Sequence, residues 1–241
     1  MRKLILSVGF LFSFYSIISG QNNYQTRDSV HIFWQPDVQI TFQDFKGDIS
    51  PEMKDEFEKF NYSANASLGL WSVIDIPKKW KKKKDWDKYE KIYIAPAFEK
   101  PTSIAISDDS IQIAIQITRF DIHELWARWA RRQFQAIKDS MMNSTGSQSI
   151  FYTTIIEDMK ENCNTMVAYY LKDVIIDKKE GSFDEWKERI QQYFAETEEW
   201  ATTPEECHRF IIQKPIEKGY VKAKKLIGPM PKSSVDIEIS H

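Results

Sequence analysis

The chain has 241 residues, of which 42% are hydrophobic and 14% aromatic, with a formal charge of −2. That apolar share suffices for a sizeable core, so intrinsic disorder is excluded, and the charge balance implies no general pull toward nucleic acid. Eight glycines leave little room for phosphate-cradling loops, and no G-x-S-x-G elbow or Cys-x-x-Cys pair occurs.

The N-terminus has the anatomy of a secretory leader. Arg2 and Lys3 precede an apolar run from Leu4 to Ile18, and Ser19 and Gly20 stand before Gln21. The run is shorter than a membrane span requires, so cleavage near Gly20-Gln21 is expected and residues 1–20 are assigned as a signal peptide. Losing Arg2 and Lys3 takes the charge from −2 to −4. No later segment has the apolar length of a transmembrane span. The expected location is periplasmic or secreted.

Extended segments follow: His31 to Trp34, Val38 to Phe42, Tyr62 to Ile74, Lys91 to Phe98 and Thr102 to Ile106 carry β-branched and aromatic residues between Pro, Gly and Asp punctuation. Pro77, Pro96 and Pro101 mark strand ends or edges. A dense basic run with two indoles, Lys79, Trp80, Lys81, Lys82, Lys83, Lys84 and Trp86, interrupts them. It has the chemistry to grip an anionic glycan, a lipid head group or an acidic protein surface, against the favoured reading of a solvated inter-strand loop whose charges guard an edge.

From Ser110 the apolar period changes to three or four. Ile122, Leu125, Trp126, Trp129, Ile137 and Met141 predict a long helix from about Ser110 to Met142, capped by Asp108 and Asp109. A second helix, about Ser149 to Asp173, places Phe151, Ile155, Met159, Cys163, Met166, Tyr170 and Val174 on one stripe. Ser182 to Glu185 reads as a capping box opening a third, with Trp186, Ile190 and Tyr193 inward, and Thr203-Pro204-Glu205-Glu206 as the start of a fourth. Strands first and long helices afterwards predict an α+β class: one domain over 21–213, then an irregular tail over 214–241. Cys163 and Cys207 form an even pair suited to an oxidising compartment. They are expected either to bridge or to be two separate buried thiols, with metal binding by Cys163, Cys207 and His208 a weaker alternative.

The long helix carries Phe120-Asp121-Ile122-His123-Glu124-Leu125-Trp126-Ala127-Arg128. A zinc hydrolase of the H-E-x-x-H type needs two imidazoles one turn apart and a glutamate to take a proton from metal-bound water. The five positions upstream of Phe120 are Ile115-Gln116-Ile117-Thr118-Arg119, with neither histidine nor carboxylate. His123-Glu124 begins like the motif, but the fifth position is Ala127.

This stretch resembles a family of secreted bacterial proteins known as domain of unknown function 922, expected to be zinc-dependent proteases with the hallmark H-E-Q-G-H-F-D-[IL]-A-E-[LI]-Y-A-R. Aligned on Phe120-Asp121-Ile122, the chain keeps Glu124, Leu125, Ala127 and Arg128, with Trp126 for the family's Tyr. Ile40 to Gly47 is similar to the family's W-x-D-F-x-G opening, and Ser63 to Gly69 to its S-A-x-T-S-x-G strand. The resemblance implies a zincin-like scaffold with degenerate motif positions at Ile115, Gln116 and Arg119. Asp121, His123 and Glu124 are then relics of a site or ordinary residues, with surface positions favoured for the two acids. The expectation is an exported pseudoenzyme without a metal or other cofactor. The alternatives are a zinc peptidase assembled from His123, Glu124 and a distant His31 or His208, and a cell-envelope binding module using the lysine-tryptophan run.

Overall fold

The computed structural model describes residues 24–59, 62–78, 89–140 and 147–223. The leader with its cleavage point, the basic run from Lys79 to Trp86 and the end of the tail lie outside the described residues. Among the described residues the elements run β1 (His31–Phe33), α1 (Pro51–Lys59), β2 (Ala64–Asn65), β3 (Leu68–Pro77), β4 (Lys91–Glu99), β5 (Ile104–Ala105), α2 (Ser110–Ser140), α3 (Ser147–Leu171), α4 (Ser182–Glu196), α5 (Pro204–Ile212) and β6 (Tyr220–Lys222). Sheet precedes long helices, as the α+β class requires.

The main sheet is antiparallel in the order β1-β4-β3-β6, while β2 and β5 form a separate pair. Side chains alternate across β3 and β4, so the sheet has two covered faces. Ile74 and Ile94 pack with Ala127, Ala130 and Phe134 of α2 and with Ile155, Ile156 and Met159 of α3. Val73, Tyr93 and Ala95 turn the other way, onto Phe210 and Cys207 of α5. Asp75 shares the α5 side and receives a two-toothed hydrogen bond from Arg209, with Nε at 2.6 Å and Nη2 at 2.7 Å.

The start of α2 follows from Asp109, whose carboxylate accepts from the amides of Ile111 and Gln112. The start of α5 is the expected box: Thr203 accepts from the Glu206 amide, and Glu206 Oε2 accepts from the Thr203 amide. The box at Ser182 is not made. Gly181 is the N-cap, at φ 74, a left-handed angle that only glycine adopts cheaply, and Ser182 is already helical with its hydroxyl turned to the Asp173 carbonyl.

Several further expectations are corrected. Val38 to Phe42 is no strand. The chain turns after β1 through a Val38 to Gln35 hydrogen bond and ends in a 3-10 turn at Phe42–Asp44. Pro96 lies inside β4, an inner strand, rather than at an end or edge. Its carbonyl accepts from Trp34 N just past the end of β1, so its missing N–H falls where the ladder has stopped. Phe151 and Tyr193, expected to face inward, are 41% and 45% exposed. The segment after Lys214 does not stay irregular, because β6 pairs with β3. The Cys163-Cys207 bridge is not formed: both thiols are free and buried in separate clusters. Among the described residues no helix is long and apolar enough to cross a membrane.

Candidate functional site

The motif positions lie in the first half of α2, where the helix meets β2. Ile115 is 4% exposed and packs among Ile122, Cys163, Tyr170, Trp186 and Ile190. Gln116 is 2% exposed, and its Oε1 accepts from the Ala66 amide at 3.1 Å and from Arg119 Nη1. Arg119 Nη1 also donates to Asn65 Oδ1 at 2.9 Å. The strand resembling S-A-x-T-S-x-G is thus held against the helix segment that resembles the protease motif, through Gln116 and Arg119.

The donors available at these positions do not fit a divalent cation. Ile115 has no lone pair, the Gln116 oxygen is committed to two N–H donors, and Arg119 contributes a fixed positive charge. Among the described residues no group of three or more His, Cys, Asp or Glu side chains is placed to hold a metal ion. His31 and His208 do not join His123: His31 contacts Asp28, Phe33 and Trp71, and His208 lies against Tyr24.

Downstream, His123 and Glu124 are buried and Asp121 is half-buried, which corrects the expectation that Asp121 and Glu124 are surface acids. Glu124 has no exposed surface. Its Oε1 takes Arg128 Nε at 2.8 Å and the Thr202 amide at 2.9 Å, Thr202 Oγ1 donates to Oε2, and Arg131 Nη1 stands 3.8 Å away. Three hydrogen bonds and a neighbouring guanidinium hold this carboxylate in place, and burial pushes its pKa above the usual carboxylate range. Asp121 accepts from the Trp34 indole at 2.9 Å, and burial pushes its carboxyl up to about 6. His123 Nδ1 is 2.7 Å from the Arg119 carbonyl, which can only accept, so that nitrogen carries the proton. Burial holds this imidazole down at about 4, hence neutral near pH 7.

Sequence reasoning missed the network that secures Glu124. Arg128 stands four residues from Glu124, a spacing visible in the chain. Thr202, Arg131 and Glu206 join only through the fold: Arg131 donates to Glu206 at 2.8 Å and to the Trp200 carbonyl at 2.7 Å. On another face of α2, Leu125, Trp126, Trp129, Met166 and Tyr193 line a cleft of about 350 Å³.

Comparison of the chain with protein-family models, with curated proteins and with solved structures returned no match.

Proposed function

We propose that this chain is an exported, non-catalytic relative of zinc-dependent proteases that uses the α2–β2 junction to hold a ligand instead of a metal. One observation supports this above the rest: Gln116 and Arg119 stand where the resembling motif has its glutamate and second histidine, and both are tied to β2. An amide is a poor base at any pH, and a guanidinium excludes a second cation at contact distance. Glu124, the nearest fully buried carboxylate downstream, is neutralised by Arg128 and Arg131.

The rival is a zinc peptidase rearranged around the free Nε2 of His123. Metal analysis of protein purified without chelator separates the two. Zinc well below one equivalent, and no chelator-sensitive peptide cleavage, are the expected results. Stoichiometric zinc that disappears in His123→Ala ends the non-catalytic reading.

A further inference from the structure

The described residues contain seven buried side-chain polar atoms without a hydrogen-bond partner, and three that can donate belong to one locality: Ser63 Oγ, Gln116 Nε2 and Arg119 Nε, with Gln112 Oε1, an acceptor, on the same helix face. Gln112, Gln116 and Arg119 stand at i, i+4 and i+7 on α2 and so share a face. Ser63 leads into β2, which is hydrogen-bonded to that face through Asn65, as is Ala66 just beyond the strand. Buried polar groups are nearly always satisfied, so orphans gathered in one place mark something that belongs there.

The charge at this place has the same deficit. Arg128 is paired with Glu124, Arg131 with Glu206 and Arg209 with Asp75. Among the described residues Arg119 has no such partner: its electrostatic neighbours are Tyr62, Tyr170, Cys163 and His123, none of them a carboxylate. An uncompensated guanidinium in a desolvated site is costly, and the cost is relieved by an anion.

We infer that the junction of α2 with β2 is a carboxylate-binding site, in which Arg119 supplies the charge and Gln116 a second donor. This deepens the non-catalytic reading and rests on it. The geometry selects the chemistry. Among the described residues Nη1 makes both of the Arg119 side-chain hydrogen bonds, leaving the Nε–Nη2 edge, whose two parallel N–H groups match the two oxygens of a planar carboxylate. The Gln116 amide orientation is fixed, because its oxygen accepts twice, so the unpartnered atom is the NH2 donor. Asn65 is exposed and Arg119 half-buried, while Arg119 Nε and Gln116 Nε2 are covered, so a ligand reaches these donors when the Asn65 side chain swings aside.

The test is thermal unfolding of the full chain in sodium acetate or sodium succinate against sodium chloride of equal ionic strength. The carboxylates are expected to raise Tm by about 2 °C or more over chloride at saturation. Arg119→Met is expected to weaken the response at least about tenfold in apparent Kd. Gln116→Glu guards against a folding failure, since it provides an internal carboxylate for Arg119. It is expected to raise Tm without added acid and to abolish the acetate response, a pattern that a merely structural arginine does not produce.

A pentapeptide with a free C-terminus and its C-terminal amide identify the source. A shift with the free acid alone, at lower concentration than acetate, assigns a peptide terminus, and a shift with succinate or acetate alone assigns a small acid. Wild-type protein that responds to carboxylates no more than to chloride, or variants that respond as wild type does, overturn the site. Zinc content measured on the same preparation keeps the outcomes apart: bound zinc defeats the non-catalytic reading, whereas anion insensitivity in zinc-free protein defeats only the carboxylate site.

Discussion

Asp121 and His123 stand two positions apart on α2, and burial acts on them in opposite directions. Desolvation favours the neutral form of each, which is protonated for the acid and deprotonated for the imidazole. His123 falls from 6.5 to about 4. Between those values the unfolded chain binds the proton and the folded one does not, so this contribution is full above about pH 6.5 and is lost as pH falls. Asp121 rises from 3.8 to about 6. Here the folded chain holds the extra proton, and the contribution present below 3.8 is lost as pH rises through about 6. Each amounts to roughly 3 kcal/mol, and the two windows overlap, so they nearly cancel. Relative to the wild type, urea midpoints measured from pH 4 to 6.5 should therefore gain a rise with pH in Asp121→Asn and a fall with pH in His123→Gln. Variants whose profiles run parallel to wild type would show that neither side chain is desolvated as described.

The helices α2 and α5 were legible where local chemistry decides. Asp109 caps one and the Thr203–Glu206 box opens the other, both readable from spacing. Elements that depend on distant partners were not. The helix α1 (Pro51–Lys59) has only Met53 and Phe57 among charged residues, too thin a stripe for periodicity to register. The strand β6 exists because the edge of β3 from Asp75 to Pro77 needs a neighbour. At the site, the absence of metal-ligating side chains at Ile115 and Arg119 was visible in the chain, whereas the grip of Gln116 on Ala66 spans fifty positions and needed the fold.

The docking of α5 belongs to this second kind. Arg209 is 2% exposed and Asp75 is 1% exposed, and their pairing lies beside the apolar contacts of Phe210 and Cys207 with β3 and β4 and the hydrogen bond from the Ile94 amide to Glu206. Removing one partner strands the other in low dielectric, so Arg209→Met should destabilise by about 3–5 kcal/mol. The double change Arg209→Met with Asp75→Leu should recover most of that loss, as burial of matched apolar side chains replaces a desolvated pair. Equilibrium denaturation of the four species decides it, and purely additive effects would rule the coupling out.

At the scale of the molecule, the sheet separates two apolar layers with different helices. Cys163 lies on the α3 side, packed with Tyr170, Trp186 and Ile190, and Cys207 on the α5 side with Phe33 and Phe210. A bridge would have to pass a sheet whose inner strands carry fully buried residues such as Ile94 and Ala95, so an oxidising environment would not by itself create one. Burial also pushes the Cys163 thiol up to about 12 and raises that of Cys207, which leaves almost no thiolate at neutral pH to react. Two thiols per chain should therefore titrate with an aromatic disulfide reagent in strong denaturant, and neither should react quickly in the native state. Dithiothreitol should leave Tm unchanged. A bridged protein would instead lose about 2–5 kcal/mol on reduction, a drop of roughly 5–15 °C at this chain length, and would show no free thiol when unfolded without reductant.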